Sequence, residues 1–180
     1  ISIYDILING LKKLEYRGYD SSGIMIYNQK PLVKKAKGKV SDLEKLFVNS
    51  ADKQGYLGIG HTRWATHGPP NQINSHPHTS NSGEITLVHN GIIENYNSIK
   101  KILTQKGYIF HSDTDSEVLV NLIEDIKKTK NVKLGKAVYF ALKQVVGADA
   151  IVVFDSMNPK EIVGARLGSP LAIGVGDSEY

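Results

Sequence analysis

The order of the apolar segments constrains the fold of this chain more than any other feature. A helical stripe covers 3–14, and short apolar runs typical of buried strands follow, beginning at 23–27. Three helical patterns then fall within 94–146, and strand patterns return at 148–154 and 170–175. Because strands, helices and strands follow one another in blocks, the sequence predicts a layered α+β domain rather than alternating βαβ units.

Composition limits the classes of protein further. The 180 residues are 41% hydrophobic and 22% charged, which is ordinary for one globular domain and argues against a disordered tail or a collagen-like fibre. Cysteine is absent, which argues against a disulfide-stapled secreted module. The net charge of +4, with both signs interspersed, does not indicate nucleic-acid binding, and no apolar run is long enough to span a membrane. We expect a cytoplasmic location.

A long polar segment, 62–82, interrupts the helix and strand patterns. It contains three prolines and has almost no apolar periodicity. A stretch of this length without secondary structure is unusual inside a compact domain, and it is commonly a functional loop or lid. We therefore look for chemistry at the ends of this segment.

Two charged groups suggest a site for an amino acid. Arg63 stands where a predicted strand meets the long loop, and its planar guanidinium suits a carboxylate or a phosphate. Asp113 and Asp115 lie at a predicted helix start, with Ser112 as the expected N-cap, where carboxylates commonly serve only to stabilise the helix. In the functional interpretation, Arg63 and Asp115 hold the two charged ends of an amino acid.

Asn90 and Gly91 follow a predicted strand over 84–89 and admit two interpretations. Asn-Gly is a strong signal for a two-residue turn. Alternatively, the Asn side-chain amide and the Gly backbone N–H together form an oxyanion hole, which stabilises the charge that develops on an attacked carbonyl. The apolar pair that follows, Ile92 and Ile93, does not begin the alternating strand that a hairpin requires, and this weakens the turn interpretation.

The histidines raise the question of a metal. A metal-dependent hydrolase could use His61, His67, His76 and His78. However, their spacing matches no common zinc motif and there is no cysteine to assist. We favour histidines held by hydrogen bonds and predict no metal.

Six motifs, in this order, resemble the class II glutamine amidotransferases, and in particular the glutaminase domain of the glutamine–fructose-6-phosphate aminotransferase family. The resemblance covers nearly the whole chain, and the strings YRGYD and RWATHG narrow it to that family. The motifs are 14–21 (LEYRGYDS), 61–68 (HTRWATHG), 74–77 (NSHP), 88–95 (VHNGIIEN), 112–115 (SDTD) and 166–171 (RLGSPL).

The resemblance implies an N-terminal-nucleophile hydrolase-like four-layer sandwich, with two antiparallel sheets between helical layers. It implies hydrolysis of L-glutamine to glutamate and ammonia without a metal or cofactor. The ammonia would pass to a sugar-phosphate isomerase domain of the full-length enzyme, which converts fructose 6-phosphate to glucosamine 6-phosphate. The full-length enzyme is expected to be a homo-oligomer.

The resemblance also implies roles for the polar residues of the site. Arg63 would bind the α-carboxylate of glutamine and Asp115 its α-ammonium. Asn90 and the Gly91 N–H would form the oxyanion hole, and Arg17 would support the nucleophile end of the site.

A second group of roles concerns the loop and the entrance. Thr66 and His67 would belong to the loop that closes over glutamine, and Trp64 would line the pocket and gate an ammonia channel. His76 matches a histidine near the sugar side, and Pro69 stands where the family more often has Glu.

The nucleophile is the point at which the sequence departs from the family. The family uses a cysteine at the mature N-terminus, and this chain has no cysteine. The resemblance places Ile1 downstream of that cysteine, so we expect a single domain over 1–180 that is truncated at both ends and inactive on its own. The alternative hypothesis is a glutamine-binding module without catalysis.

Overall fold

The computed structural model describes residues 2–177, which form an α+β domain. Short 3-10 helices lie at Glu15–Arg17 and Ser50–Lys53. The other elements, in chain order, are α1 (Ile3–Leu14), β1 (Ser21–Asn28), β2 (Lys30–Lys37), α2 (Val40–Glu44), β3 (Leu57–Arg63), β4 (His78–Thr79), β5 (Ile85–Ile93), α3 (Tyr96–Gln105), α4 (Asp115–Lys130), α5 (Leu134–Leu142), β6 (Gly147–Asp155) and β7 (Ile162–Leu167).

The strands form two antiparallel sheets. The first sheet has the order β2-β1-β3, and the second has the order β4-β5-β6-β7. In the first sheet Ser21 pairs with Arg63, so Arg63 is the last residue of the β1–β3 ladder. In the second sheet Asn90 pairs with Ala150, which places Asn90 inside the β5–β6 ladder.

Alternation along β1 shows how the layers are held together. Ile24 and Ile26 point outward and pack with α1 and α2, whereas Met25 and Tyr27 point inward and pack against Phe154 of the second sheet. The outer face of the second sheet is covered by α3, α4 and α5 in the largest apolar cluster. The layers are therefore helix, sheet, sheet and helix, and the predicted sandwich of two antiparallel sheets between helical layers is confirmed.

The N-cap of α4, the central helix of this outer layer, lies two residues later than predicted. Thr114, not Ser112, caps the helix by accepting a hydrogen bond from Glu117 N at 3.3 Å. Ser112 instead donates its hydroxyl to the Glu117 carboxylate at 2.6 Å. Because Thr114 takes the capping position, Asp115 becomes the first residue of the helix.

Three other expectations need correction or completion. The strand predicted to end at His89 continues to Ile93, because Asn90 and Gly91 pair in the ladder with β6, so the turn interpretation is wrong. The strand predicted over 170–175 is not formed, since this segment pairs with no strand within residues 2–177 and its side chains are largely exposed. Within the long loop, the short strand β4 pairs with β5.

None of the helices within residues 2–177 is both long and apolar enough to cross a bilayer.

The packing between the sheets generates a stability prediction that uses the two methionines of the chain. Met25→Ala should lower the free energy of unfolding by about 2–5 kcal/mol, because it leaves a cavity at a fully buried position between the sheets. Met157→Ala makes the same chemical change at a side chain that is 68% exposed, and it should change stability by less than about 0.5 kcal/mol. Urea-induced unfolding of both variants measures the difference, and equal effects would contradict the layer assignment.

Candidate functional site

A cavity of about 380 Å³ lies where the C-terminal end of β3, the middle of β5 and the start of α4 meet. All nine residues that the sequence analysis proposed for the site line this cavity. They are Arg17, Arg63, Trp64, Thr66, His67, His76, Asn90, Gly91 and Asp115. The cavity is thus the candidate active site, and the roles of the individual residues remain predictions.

The guanidinium of Arg63 is buried, and backbone carbonyls surround part of it. It donates to Gly68 O at 3.3 Å, to Pro69 O at 3.5 Å and to His67 O. Burial lowers the pKa of Arg63, and the nearby carboxylates of Asp20 and Asp115 oppose that shift. A guanidinium has five N–H donors and stays charged, so donors remain for a carboxylate ligand in the cavity.

The carboxylate of Asp115 is buried at the N-terminus of α4 and is tied to the second sheet. Its Oδ2 atom accepts a hydrogen bond from Ile93 N at 2.8 Å. The first turn of a helix favours negative charge. Within residues 2–177, Arg63 and Asp115 form no ion pair with each other. Both charges line the cavity, and each is available to a ligand of opposite charge.

Asn90 and Gly91 bring neutral hydrogen-bond donors to the same cavity. The Asn90 side chain is exposed to the cavity, and its Oδ1 atom lies 2.7 Å from His61 Nε2. Gly91 has a φ of 152°, and a Cβ atom at this position would collide with the carbonyl of Ala148. Only glycine therefore fits here, which allows the backbone of β5 to run past the cavity wall without a side chain.

The entrance of the cavity is aromatic and partly exposed. Trp64 is 63% exposed and meets the edge of Tyr19 at a centroid distance of 5.6 Å. His67 packs edge-on against Tyr96 at 5.2 Å, and Thr66 beside it is exposed. Trp64, Thr66 and His67 therefore lie at the solvent side of the cavity, and their predicted roles stay predictions. Arg17, in the 3-10 helix after α1, is exposed at the same side.

Three buried histidines, His61, His76 and His89, line the inner wall of the cavity, and His78 lies behind His76. Burial lowers the pKa of His61 to about 4 and lowers the pKa values of His76, His78 and His89 as well. The ring of His76 lies between those of His61 and His78, tilted by 37° to the first at a centroid distance of 4.3 Å and edge-on to the second at 4.8 Å. At neutral pH this wall is therefore uncharged.

The histidines do not form a metal site in the part of the chain that the structure describes. Across residues 2–177, no three His, Cys, Asp or Glu side chains are grouped so that they could hold a metal ion. The four residues of the metal-hydrolase hypothesis contact each other or polar neighbours instead: His76 Nε2 lies 2.9 Å from Ser116 Oγ, and His78 Nε2 lies 3.1 Å from Thr114 Oγ1.

Sequence reasoning assigned no glutamine-site role to several polar residues that line the cavity, among them His61, His89 and Ser116. His61 contacts Asn90, and Ser116 lies between His76 and His89, with Ser116 Oγ 3.0 Å from His89 Nδ1. The spacing of two between His61 and Arg63 could have placed both on one face of β3. For Ser116 the sequence carries no signal beyond its position next to Asp115.

Comparison with known proteins places this geometry in a family. Residues 35–172 match the family described as "Glutamine amidotransferase domain", and the chain therefore belongs to that family. It is 55% identical over 179 residues to a protein of Bacteroides thetaiotaomicron named glutamine–fructose-6-phosphate aminotransferase (isomerizing). It is 53% identical over 178 residues to the protein of that name from Chlorobaculum tepidum. These matches cover 98% and 97% of this chain but only 29% of each relative, so the chain spans less than a third of their length.

A solved structure supports the fold independently. Glutamine phosphoribosylpyrophosphate amidotransferase from Bacillus subtilis superposes with a TM-score of 0.76 at 27% sequence identity, covering 92% of this chain and 35% of that one. The predicted N-terminal-nucleophile hydrolase-like fold and the predicted family are both confirmed. The matched part of the longer relatives corresponds to the glutaminase domain expected from the motifs.

The neutral histidines generate a prediction about pH. The pKa of His61 is about 6.5 in the unfolded chain and about 4 in the folded one, so the unfolded chain takes up its proton first as the pH falls. Stability from this group is therefore present above pH 6.5 and is lost towards pH 4, with a slope of about 1.4 kcal/mol per pH unit for each such histidine.

Urea-induced unfolding at several pH values between neutral and about pH 4 measures this loss. The free energy of unfolding of the variant His61→Gln should depend less steeply on pH than that of the wild type. The carboxylates contribute equally in both proteins, so the difference reports the contribution of His61. His111→Gln, at an exposed histidine outside the cavity, is the matched control and should keep the wild-type slope. A His61→Gln protein with an unchanged slope would contradict the prediction.

Proposed function

We propose that the cavity binds L-glutamine and that, in the full-length protein, the bound amide is hydrolysed to glutamate and ammonia. One observation carries this proposal. A buried cation, Arg63, and a buried anion, Asp115, line one small cavity without neutralising each other. An uncompensated pair of opposite charges suits a ligand that carries both charges itself, which an α-amino acid does.

Each charged group has the chemistry for one end of glutamine. The Arg63 guanidinium can donate to the α-carboxylate through the N–H groups that the loop carbonyls leave free. The Asp115 carboxylate can accept from the α-ammonium, which is a donor only. A volume of about 380 Å³ is sufficient for one small ligand.

Asn90 and Gly91 would act on the side-chain amide. The family resemblance supplies the nucleophile as a cysteine thiolate, which has to come from outside these 180 residues because they contain no cysteine. Its sulfur would bond to the amide carbon while the carbonyl π electrons move to oxygen. The Asn90 Nδ2–H and Gly91 N–H donors would stabilise that oxyanion. In the family resemblance the α-amino group of that cysteine is the base, so it would take the thiol proton and pass it to the amide nitrogen, and collapse would then expel ammonia. Water would next cleave the thioester to give glutamate and restore the thiol.

The proposal extends to the use of the ammonia by the full-length protein. The two relatives cited above are named for an aminotransferase that uses fructose 6-phosphate. We place the ammonia released here in a sugar-phosphate isomerase domain of the full-length protein, where it would be built into glucosamine 6-phosphate. Trp64 at the entrance would gate the passage, His67 and Thr66 would close over glutamine, and His76 would face the sugar side. The full-length protein is expected to be a cytoplasmic homo-oligomer.

Calorimetric titration of the 180-residue chain with L-glutamine tests the binding step. Arg63→Gln and Asp115→Asn should each weaken binding by at least about tenfold, because each removes a charged partner worth about 1.5–3 kcal/mol. Arg166→Gln and Asp177→Asn make the same changes at exposed residues outside the cavity and should leave the affinity unchanged.

A second ligand assigns the two charges to the two ends of glutamine. Glutaramic acid has the carboxylate and the amide of glutamine but no ammonium group. Its affinity should fall in Arg63→Gln and stay constant in Asp115→Asn. A folded wild-type chain that binds neither ligand would refute the proposal, and equal losses of both ligands in Asp115→Asn would refute the role of Asp115.

Glutamate release by the full-length gene product tests the chemical step. Asn90→Ala should lower kcat by about 10²–10³-fold with little change in KM, as expected for the loss of one oxyanion donor.

The absence of cysteine from these 180 residues also favours a second candidate, a glutamine-binding module without catalysis. That candidate predicts glutamine binding with no glutamate release from the full-length gene product.

A further inference from the structure

We infer that His61 is a positioning residue that fixes the side-chain amide of Asn90, so that the NH₂ group of the amide faces the reacting carbonyl. The inference rests on the proposed function. It concerns a contact between the two sheets: His61 belongs to β3 of the first sheet, and Asn90 belongs to β5 of the second. Their side chains meet at 2.7 Å between His61 Nε2 and Asn90 Oδ1.

The protonation state of His61 determines the direction of this hydrogen bond. Burial favours the neutral imidazole, which carries one proton. Since the Asn90 Oδ1 atom can only accept, the proton is on Nε2 and the ring donates. The other nitrogen, Nδ1, is buried and has no hydrogen-bond partner in the described part of the chain, which suits a bare lone pair better than an N–H group.

The opposite arrangement is less favourable on two counts. If the Asn90 amide were turned over, its NH₂ group would donate to Nε2 and the proton of His61 would be on Nδ1, as a buried N–H without an acceptor. The Asn90 carbonyl oxygen would then face the cavity and repel a developing oxyanion. In the arrangement of the structure, the Asn90 NH₂ group has no acceptor among residues 2–177 and remains available to the ligand.

The His61 ring is itself held in place. It stacks on His76 at a centroid distance of 4.3 Å with an interplanar angle of 37°. His76 is fixed by Ser116 Oγ at 2.9 Å, in the first turn of α4 beside Asp115. The helix that presents the ammonium-binding carboxylate therefore also supports the ring that orients the oxyanion donor.

Two variants of His61 separate the hydrogen bond from the packing of the ring. His61→Phe keeps a planar ring against His76 but removes the donor. His61→Gln removes the ring but can place an N–H near the Nε2 position. In the full-length gene product, His61→Phe should lower kcat for glutamate release by at least about tenfold, with KM within about twofold, because a freely rotating Asn90 is a poorer oxyanion donor. His61→Gln should recover most of that loss.

A double-mutant cycle tests whether His61 acts through Asn90. If it does, His61→Phe should cost nothing further in the Asn90→Ala background, whereas independent roles would give additive losses. His111→Phe, at an exposed histidine outside the cavity, is the matched control and should keep the wild-type kcat. Additive losses, or a His61→Gln protein as slow as His61→Phe, would overturn the inference.

Nitrogen-15 NMR of the 180-residue chain tests the same contact without any catalysis. The His61 ring should show a protonated Nε2 and a bare Nδ1 at neutral pH, and the Asn90→Ala variant should lose that preference. A ring protonated on Nδ1 in the wild type would overturn the inference even if the protein hydrolyses glutamine. Conversely, the expected tautomer in a protein that releases no glutamate would leave the contact intact and refute the proposed function alone.

Discussion

The burial of the Arg63 guanidinium, which forms no ion pair within residues 2–177, is the constraint on which the site depends. Taking a charged group out of water is costly unless hydrogen bonds replace its hydration. Here three carbonyls of the loop, from His67 to Pro69, replace part of it. Carbonyl dipoles satisfy the N–H donors but do not cancel a full unit of charge. The binding of an anion would therefore still stabilise the buried cation. The same bonds determine the path of the loop, and one side chain thus sets both the electrostatics and the shape of the cavity.

The fold explains how this cation comes to face its anion. Arg63 lies at the end of the first sheet, and Asp115 is held to the second sheet through Ile93 N. The distance between the two charges therefore depends on how the sheets pack, and that packing is maintained by Met25, Tyr27 and Phe154. Because these are apolar contacts between rigid ladders, the site is preorganised by the core rather than assembled from a flexible loop.

The sequence predicts the layers and the motifs well because each depends on local information. Hydrophobic periodicity located most elements, and the motif order indicated the family. The features that the sequence did not predict correctly depend on contacts between residues that are far apart in the sequence. Whether Asn90 and Gly91 form a turn or remain in a strand is determined by the ladder with β6, about sixty residues later. Ser112 and Thr114 are both good caps by type, and the choice is made by Glu117 binding the Ser112 hydroxyl. The contact of His61 with Asn90 crosses between sheets, where no sequence period applies.

The buried histidines at the cavity are neutral, and this affects which charges of a ligand the cavity can bind. Four imidazoles line or support a cavity with one buried guanidinium and one buried carboxylate. If these rings were protonated, their charges would repel the ammonium of an amino acid and would compete with Arg63 for its carboxylate. Burial prevents this by lowering their pKa values, most clearly for His61 and His76. The inner wall therefore supplies polar atoms without net charge, and the discrimination between the two ends of a zwitterion is left to Arg63 and Asp115.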